Sequence, residues 1–410
     1  MKIKLKISNI ILFLWGIVLA SEILFFTDIP IHSTFIYYSS SLVLILFLTY
    51  YLIKYSPKKN NSLYFLYLFL FLFTVFLFGC ILANPIYAKE IRDNNYSMII
   101  FYILVFLMGN YIYQSELRFQ FVKTTYIVLV VIIIMMMFRH FSEIDSQMLF
   151  RNMFSGFKRV RISLGFSHPN FLGNISLCAI IISYFYTKMN SSTKKILLIK
   201  CLNILLIYII LITASRTSFI GLILFMILNY LSVFADKINK KIKIILEASV
   251  LIISFLFLLS VNNIELTNFL ELTNRSENFI YNIPVLIKNN RLWYGLAYVG
   301  SGDFISKVSG TFFVDNYILY TLMSSGIIGF IFNMSFVMIL WRTLAIAAKS
   351  SHENKIILII FFVNFFISFA ENCFLTPSFP SCFVYTILYL SIFSERFEKK
   401  PNFKFKLASL

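Results

Sequence analysis

Arg161-Ile162-Ser163-Leu164-Gly165-Phe166-Ser167-His168-Pro169-Asn170 is a polar stretch that leads into a long apolar run. It sets a permanently charged guanidinium, a His-Pro turn and an Asn amide at the mouth of a predicted membrane helix. Its companion is Ser215-Arg216, lodged between two hydrophobic runs. The remainder of the chain reads as the scaffold that holds these two places.

Composition sets the class. The 410 residues are 59% hydrophobic, 18% aromatic and 13% charged, with a mean hydropathy of +0.83. A soluble domain carries roughly a quarter charged residues. Apolar runs of about 20 residues recur, each long enough to cross a bilayer core of about 30 Å. An all-α polytopic membrane protein is expected. A β-barrel is excluded, because its strands would alternate over about 10 residues instead of running continuously apolar. The basic start, Met1 to Lys6, raises a signal peptide as the other reading of the first run. Phe25-Phe26-Thr27-Asp28-Ile29-Pro30 offers no small-residue cleavage site, so a retained first helix is expected.

Helices are predicted near 8–26, 33–53, 62–83, 96–113, 124–139, 169–187, 196–214, 217–235, 243–261, 316–341, 355–373 and 379–394. These give about twelve spans in a single transmembrane domain, residues 1–410. With both termini cytoplasmic, the inner segments hold 24 of the 36 Lys and Arg, and 6 of the 18 acids. The whole net charge of +18 then falls on the cytoplasmic side, as the positive-inside rule requires. Short basic loops such as Ser56-Pro57-Lys58-Lys59 serve as topology anchors, and no nucleic-acid partner is implied.

The outer face differs, with two segments too long and polar to be turns. One runs from Arg139 to Pro169, and the other, 262–315, is the large extracytoplasmic loop. The second is rich in aromatics, including Tyr281, Trp293, Tyr294, Phe312 and Phe313, which usually pack or rest at headgroup level. A partly helical loop lying on the membrane is expected. Lys158 and Arg159 suit an interfacial helix that holds lipid headgroups; Arg161, nearest the helix start, is the better functional candidate.

Arg216 follows the aliphatic run Leu205–Ala214 and precedes another beginning at Thr217. An Arg in or near hydrocarbon costs at least about 2.5 kcal/mol and by default faces a cavity. The competing reading is a hairpin residue that snorkels to the interface. Thr213-Ala214-Ser215, small and polar, favours a packed hairpin tip. Arginine is suited to phosphate, since its fork donates bidentate hydrogen bonds and keeps its proton.

Arg161-x-x-x-Gly165 with His168-Pro169-Asn170, then Ser215-Arg216, then Asp315-Asn316-Tyr317 with Gly326-Ile327-Ile328-Gly329, resembles the superfamily of O-antigen polymerases and O-antigen ligases. The similarity covers roughly residues 160–330. The resemblance implies a membrane glycosyltransferase that polymerises undecaprenyl-diphosphate-linked oligosaccharide units into capsular, exopolysaccharide or O-antigen chains, outside the cytoplasmic membrane. It further implies that Arg161 and Arg216 contact the diphosphate and that Asp315 accepts the acceptor hydroxyl's proton. A flippase and a chain-length regulator would be partners, alongside membrane lipids. Ligases tend to have His-Asn where this chain has Asp315-Asn316, so the ligase is the runner-up.

Further candidates for substrate contact are His168, Asn170, Ser215, Arg291, Asn316 and Glu371. Each has a structural alternative: a turn residue for His168, a cap for Asn170, an interface marker for Glu371 and, for Asp315, a helix N-terminal acid favoured by the dipole. No Gly-Lys-Ser/Thr phosphate loop is present, so ATP-driven transport is unsupported. The four histidines lack metal-ligand spacing, and no metal or cofactor is expected. Cys373 and Cys382 flank an outer turn, where a disulfide or two packed thiols are both open. A glycolipid flippase is the reading from another class. It should carry ionisable residues along its helix interiors, and these spans are nearly free of charge.

Overall fold

A backbone in hydrocarbon must satisfy its own polar groups, so apolar runs of this length fold as helices. The computed structural model describes residues 2–29, 33–55, 88–144, 161–189, 193–234, 282–296, 316–376 and 379–399. Ten helices of sixteen residues or more lie among them: α1 (Lys2–Phe25), α2 (Ser33–Tyr55), α3 (Ala88–Tyr111), α4 (Ser115–Arg139), α5 (Pro169–Met189), α6 (Thr193–Ile212), α7 (Arg216–Phe234), α8 (Tyr317–Ala347), α9 (His352–Ile367) and α10 (Pro380–Lys399). The described residues form no strand, only an isolated antiparallel bridge between Thr27 and Phe166.

Five segments are long and apolar enough to cross a membrane: Ile7–Phe25, Thr34–Tyr55, Ser115–Arg139, Pro169–Met189 and Tyr317–Ala347. Large apolar side chains such as Phe13, Phe35, Ile53 and Ile204 stand exposed along the helix flanks, an arrangement that suits lipid and not water. This is a helical membrane protein. The spans expected at 62–83 and 243–261 lie outside the described residues, as does most of 262–315. Within that loop, 282–288 is helical and leads into turns through 296.

The helix α5 lies at the centre, against α4, α6 and α7, and α9 closes the other side against α7, α8 and α10. The five spanning segments differ in enclosure, and that of α5 is the most buried. Its polar residues bond across helices: Ser381 Oγ donates to Asn174 Oδ1, and Ser183 Oγ donates to Asn203 Oδ1 at 2.9 Å. Such bonds are a main adhesive between helices that all face apolar lipid. At the end of the bundle away from the site, Arg118 of α4 pairs with Glu353 of α9 at 3.6 Å, and Lys355 Nζ donates to the Ser232 carbonyl at 2.6 Å.

Several helices start earlier than hydropathy suggests, among them Ala88–Tyr111 and Ser115–Arg139, and two further departures have a local reason. The helix expected to run to 373 stops at Ile367. The carbonyls of Ser368 and Phe369 leave the helical path and accept from the Tyr317 N–H (2.9 Å) and Asn316 Nδ2 (2.8 Å) at the start of α8. Helix α8, whose 31 residues would span about 46 Å if straight, is broken at Gly326 (φ +65°). Residues 291–296 fill the break. Ile327 and Ile328, whose N–H groups the break orphans, donate to the carbonyls of Leu292 (3.0 Å) and Trp293 (3.3 Å). Leu296 N–H serves the Met323 carbonyl at 2.7 Å. Any Cβ on Gly326 would overlap the Trp293 backbone. Cys373 and Cys382 are separate buried thiols, and burial pushes the Cys373 thiol well above its ordinary range.

Candidate functional site

The loop ahead of α5 is shaped by two residues in the left-handed region, Leu164 (φ +47°) and Gly165 (φ +75°). Leu164 tolerates this costly conformation because its side chain is fully buried. The loop lies against the end of α1: Asp28 N–H donates to the Gly165 carbonyl and Ser167 N–H to that of Phe26, both at 2.8 Å. Phe26 also stacks on Phe171 (4.2 Å between ring centroids), which packs against Phe379 (4.6 Å). The loop thus enters α5 along a fixed path.

His168 and Pro169 form the helix start. Pro169 takes the first helical position, where its missing N–H costs nothing, and His168 Nδ1 accepts the Asn170 N–H at 3.2 Å. The histidine therefore does the capping expected of Asn170. The Asn170 side chain is left to bridge two charges: its Oδ1 accepts from an Arg161 terminal nitrogen, and its Nδ2 donates to Glu371 Oε1 at 2.6 Å.

The hairpin between α6 and α7 supplies the second arm. It turns at Ala214 (φ +47°) with Ser215 N–H on Thr213 Oγ1 (3.3 Å), and Thr213, Ala214 and Ser215 are all fully buried. Gly173 of α5 allows this close approach, since a Cβ there would meet the Ser215 and Ser218 side chains. Arg161 Nε reaches the Thr213 carbonyl at 3.4 Å, and Ile162 N–H reaches Ile212 O at 3.3 Å, tying the loop to the hairpin. Arg216, 8% exposed, opens α7, and Thr217 Oγ1 donates to the same Glu371 Oε1 at 3.1 Å. Ser215 Oγ bonds Ser218 Oγ at 2.9 Å, so its role here is to close the hairpin.

Glu371 is buried between these arms, in the α9–α10 loop. Asn316 holds that loop from the other side. Its Oδ1 caps α8 through Ile318 N–H (2.9 Å) and Leu319 N–H (3.1 Å), while its Nδ2 takes the Phe369 carbonyl. Arg161, His168, Asn170, Ser215, Arg216, Asn316 and Glu371 thus meet at one end of the bundle. Arg291 joins a different structure: its backbone organises the turn that enters the break in α8, with Gly295 N–H on its carbonyl at 2.7 Å. Asp315, Lys158 and Arg159 lie outside the described residues.

The electrostatics are lopsided. Among the described residues, two guanidiniums share the place with one carboxylate, and α5, α7 and α8 all begin there with their N-terminal, partly positive ends. An arginine at the first position of α7 runs against the usual preference for acids at helix starts. This set of groups is short of negative charge and fits an anion rich in oxygen acceptors. Among the described residues, no group of three or more His, Cys, Asp or Glu side chains has the arrangement of a metal site.

Two features escaped the sequence reading. Thr217 was lost in the apolar run after Arg216, although a hydroxyl beside an intramembrane arginine is a usable signal. A second cluster, Asp28, Arg139, His140 and Glu143, meets Gly165 through Asp28 and His140. His140 Nε2 lies 3.2 Å from Asp28 and its Nδ1 2.7 Å from Glu143, with Arg139 3.5 Å from Asp28. No protein-family model matches this chain, and no curated protein does.

Proposed function

We propose that this chain is a membrane glycosyltransferase that polymerises undecaprenyl-diphosphate-linked oligosaccharide repeat units at the outer face of the cytoplasmic membrane. The proposed topology has about twelve spans, both termini inside and the site outside. The observation that carries the reading is the excess of cationic groups in the cluster around Glu371: Arg161, Arg216 and three helix N-termini meet one described carboxylate. A lipid-linked diphosphate brings the missing charge and is delivered from the bilayer to a site at a helix mouth. The order of motifs from Arg161 to Gly329 supports the same reading.

In the proposed reaction an acceptor sugar hydroxyl attacks the anomeric carbon of a donor glycan. The bond from that carbon to the diphosphate oxygen breaks, and undecaprenyl diphosphate leaves. Arg161 and Arg216 stabilise the charge that grows on the leaving group, in surroundings poor in water where such stabilisation is strongest. Asp315, next in sequence to the α8 cap Asn316, is the proposed acceptor of the hydroxyl proton, a job suited to a carboxylate. A ligase that transfers finished glycan shares this chemistry, with a different acceptor.

The test is the length distribution of surface polysaccharide in cells lacking the protein, complemented with wild type or Arg216→Ala. Polymerase activity predicts single repeat units without the protein, a full ladder with wild type, and no ladder with a normally inserted Arg216→Ala. Full-length chains retained on the lipid carrier would indicate a ligase. Repeat units trapped on the inner leaflet would indicate a flippase. A full ladder with Arg216→Ala would remove the diphosphate site.

A further inference from the structure

Glu371 lies 201 residues from Asn170, and its Oε1 accepts from both Asn170 Nδ2 (2.6 Å) and Thr217 Oγ1 (3.1 Å). Asn170 in turn accepts from Arg161 through Oδ1. This order is imposed by charge. A guanidinium offers only donors and a carboxylate only acceptors, so an amide between them has a single satisfactory orientation, oxygen toward Arg161 and nitrogen toward Glu371. The same carboxylate oxygen holds the hydroxyl next to Arg216 in the chain. One buried anion therefore fixes both arginine-bearing arms, the 161–170 loop and the α6–α7 hairpin.

We infer that Glu371 is a positioning residue: through the Asn170 amide and the Thr217 hydroxyl it holds the Arg161 and Arg216 arms in register for a diphosphate. The inference rests on the diphosphate reading of the site and assigns Glu371 a role apart from sugar contact or proton transfer. Alignment of two cationic forks matters because bidentate bonding to phosphate is lost when a fork turns away. The carboxylate also offsets part of the buried positive charge before the anion arrives, which lets two arginines persist at a membrane helix mouth.

A charge swap tests it. In Asn170→Asp, the new side chain still accepts from Arg161, but its second oxygen faces the Glu371 carboxylate and repels it. Combining Asn170→Asp with Glu371→Gln restores the chain of bonds in reverse polarity. The introduced amide nitrogen, standing where Oε1 stood, donates one hydrogen to the introduced carboxylate at position 170 and the other to Thr217 Oγ1. Both changes conserve shape, and the pair conserves net charge. The full-length protein in detergent is titrated with inorganic pyrophosphate and followed by thermal shift, and the same variants are scored for the polysaccharide ladder.

Asn170→Asp is expected to weaken pyrophosphate by about tenfold, the scale of one lost charge-assisted hydrogen bond. The double variant is expected to recover binding and the ladder together. A double variant that inserts and melts like wild type but recovers neither overturns the proposal. So does Glu371→Gln alone if it abolishes the ladder while pyrophosphate binding is kept, because the carboxylate then acts on substrate itself. Arg161→Ala and Arg216→Ala serve as separate controls: if both keep the ladder, the diphosphate reading fails, whatever the swap shows.

Discussion

The loop that leads into α5 is held at two places: at Gly165 by Asp28, Arg139, His140 and Glu143, and at Arg161 by Asn170 and, beyond it, Glu371. Both clusters pair arginine with carboxylate at the same end of the bundle. The first is open to solvent, with Arg139, Asp28 and Glu143 each more than 40% exposed, and it sets one arginine and one histidine against two acids. The second has a buried centre, Glu371 at 5% and Arg216 at 8% exposed with Arg161 and Asn170 half-buried, and among the described residues its cations outnumber its anion. Exposed charges fasten a loop cheaply. Buried, unbalanced charges at a membrane surface are costly, and in this reading the cost is recovered when an anion binds.

Arginine removed from each cluster gives the largest contrast. Arg161→Ala is expected to cut polymer formation about a hundredfold or more, the scale of losing one preorganised donor to a developing negative charge. Arg139→Ala is expected to leave the ladder close to wild type. The comparison breaks if the two variants fall together in the ladder assay at matched insertion levels. Arg161→Lys sharpens it: a point charge replaces the fork, and recovery should be partial at best.

Next in size is the residue between the clusters. A side chain on Gly165 would overlap the His140 imidazole and crowd the Asp28 carboxylate, and its φ of +75° already disfavours any L residue. Gly165→Ala is expected to cost about 1–3 kcal/mol of stability, seen as a lower melting temperature in detergent. It should weaken the ladder less than Arg161→Ala does. A variant that melts normally would show that the first cluster does not shape the loop.

The helices and the arginines were readable in the sequence for one reason: the bilayer fixes span length, and any charge beside an apolar run stands out. The partners of those arginines were not readable. Glu371 meets Asn170 and Thr217 only because α5, α7 and the α9–α10 loop converge, and sequence spacing carries no trace of that. His168 takes the cap expected of Asn170 because capping depends on which side chain reaches the second N–H, a matter of rotamer. The break in α8 was hidden too, since hydropathy runs straight through Gly326 and the segment that fills it, 291–296, belongs to the loop before it. The end expected at 373 was lost because the Ser368 carbonyl found a partner in the Tyr317 N–H.

The smallest effect concerns salt. Asp28→Asn removes the anion facing Arg139 and His140, in a pair more than 40% exposed on both sides. Exposed pairs contribute about 0–1 kcal/mol, and at 1 M salt screening acts within about 3 Å. The melting difference between Asp28→Asn and wild type should therefore be small at low salt and vanish at 1 M. Glu371→Ala should behave otherwise, because ions do not reach a buried carboxylate held by an amide and a hydroxyl. Its deficit should persist at 1 M salt. If the two deficits faded in parallel, Glu371 would be as open to solvent as Asp28, and the distinction between a fastening cluster and a binding one would be lost.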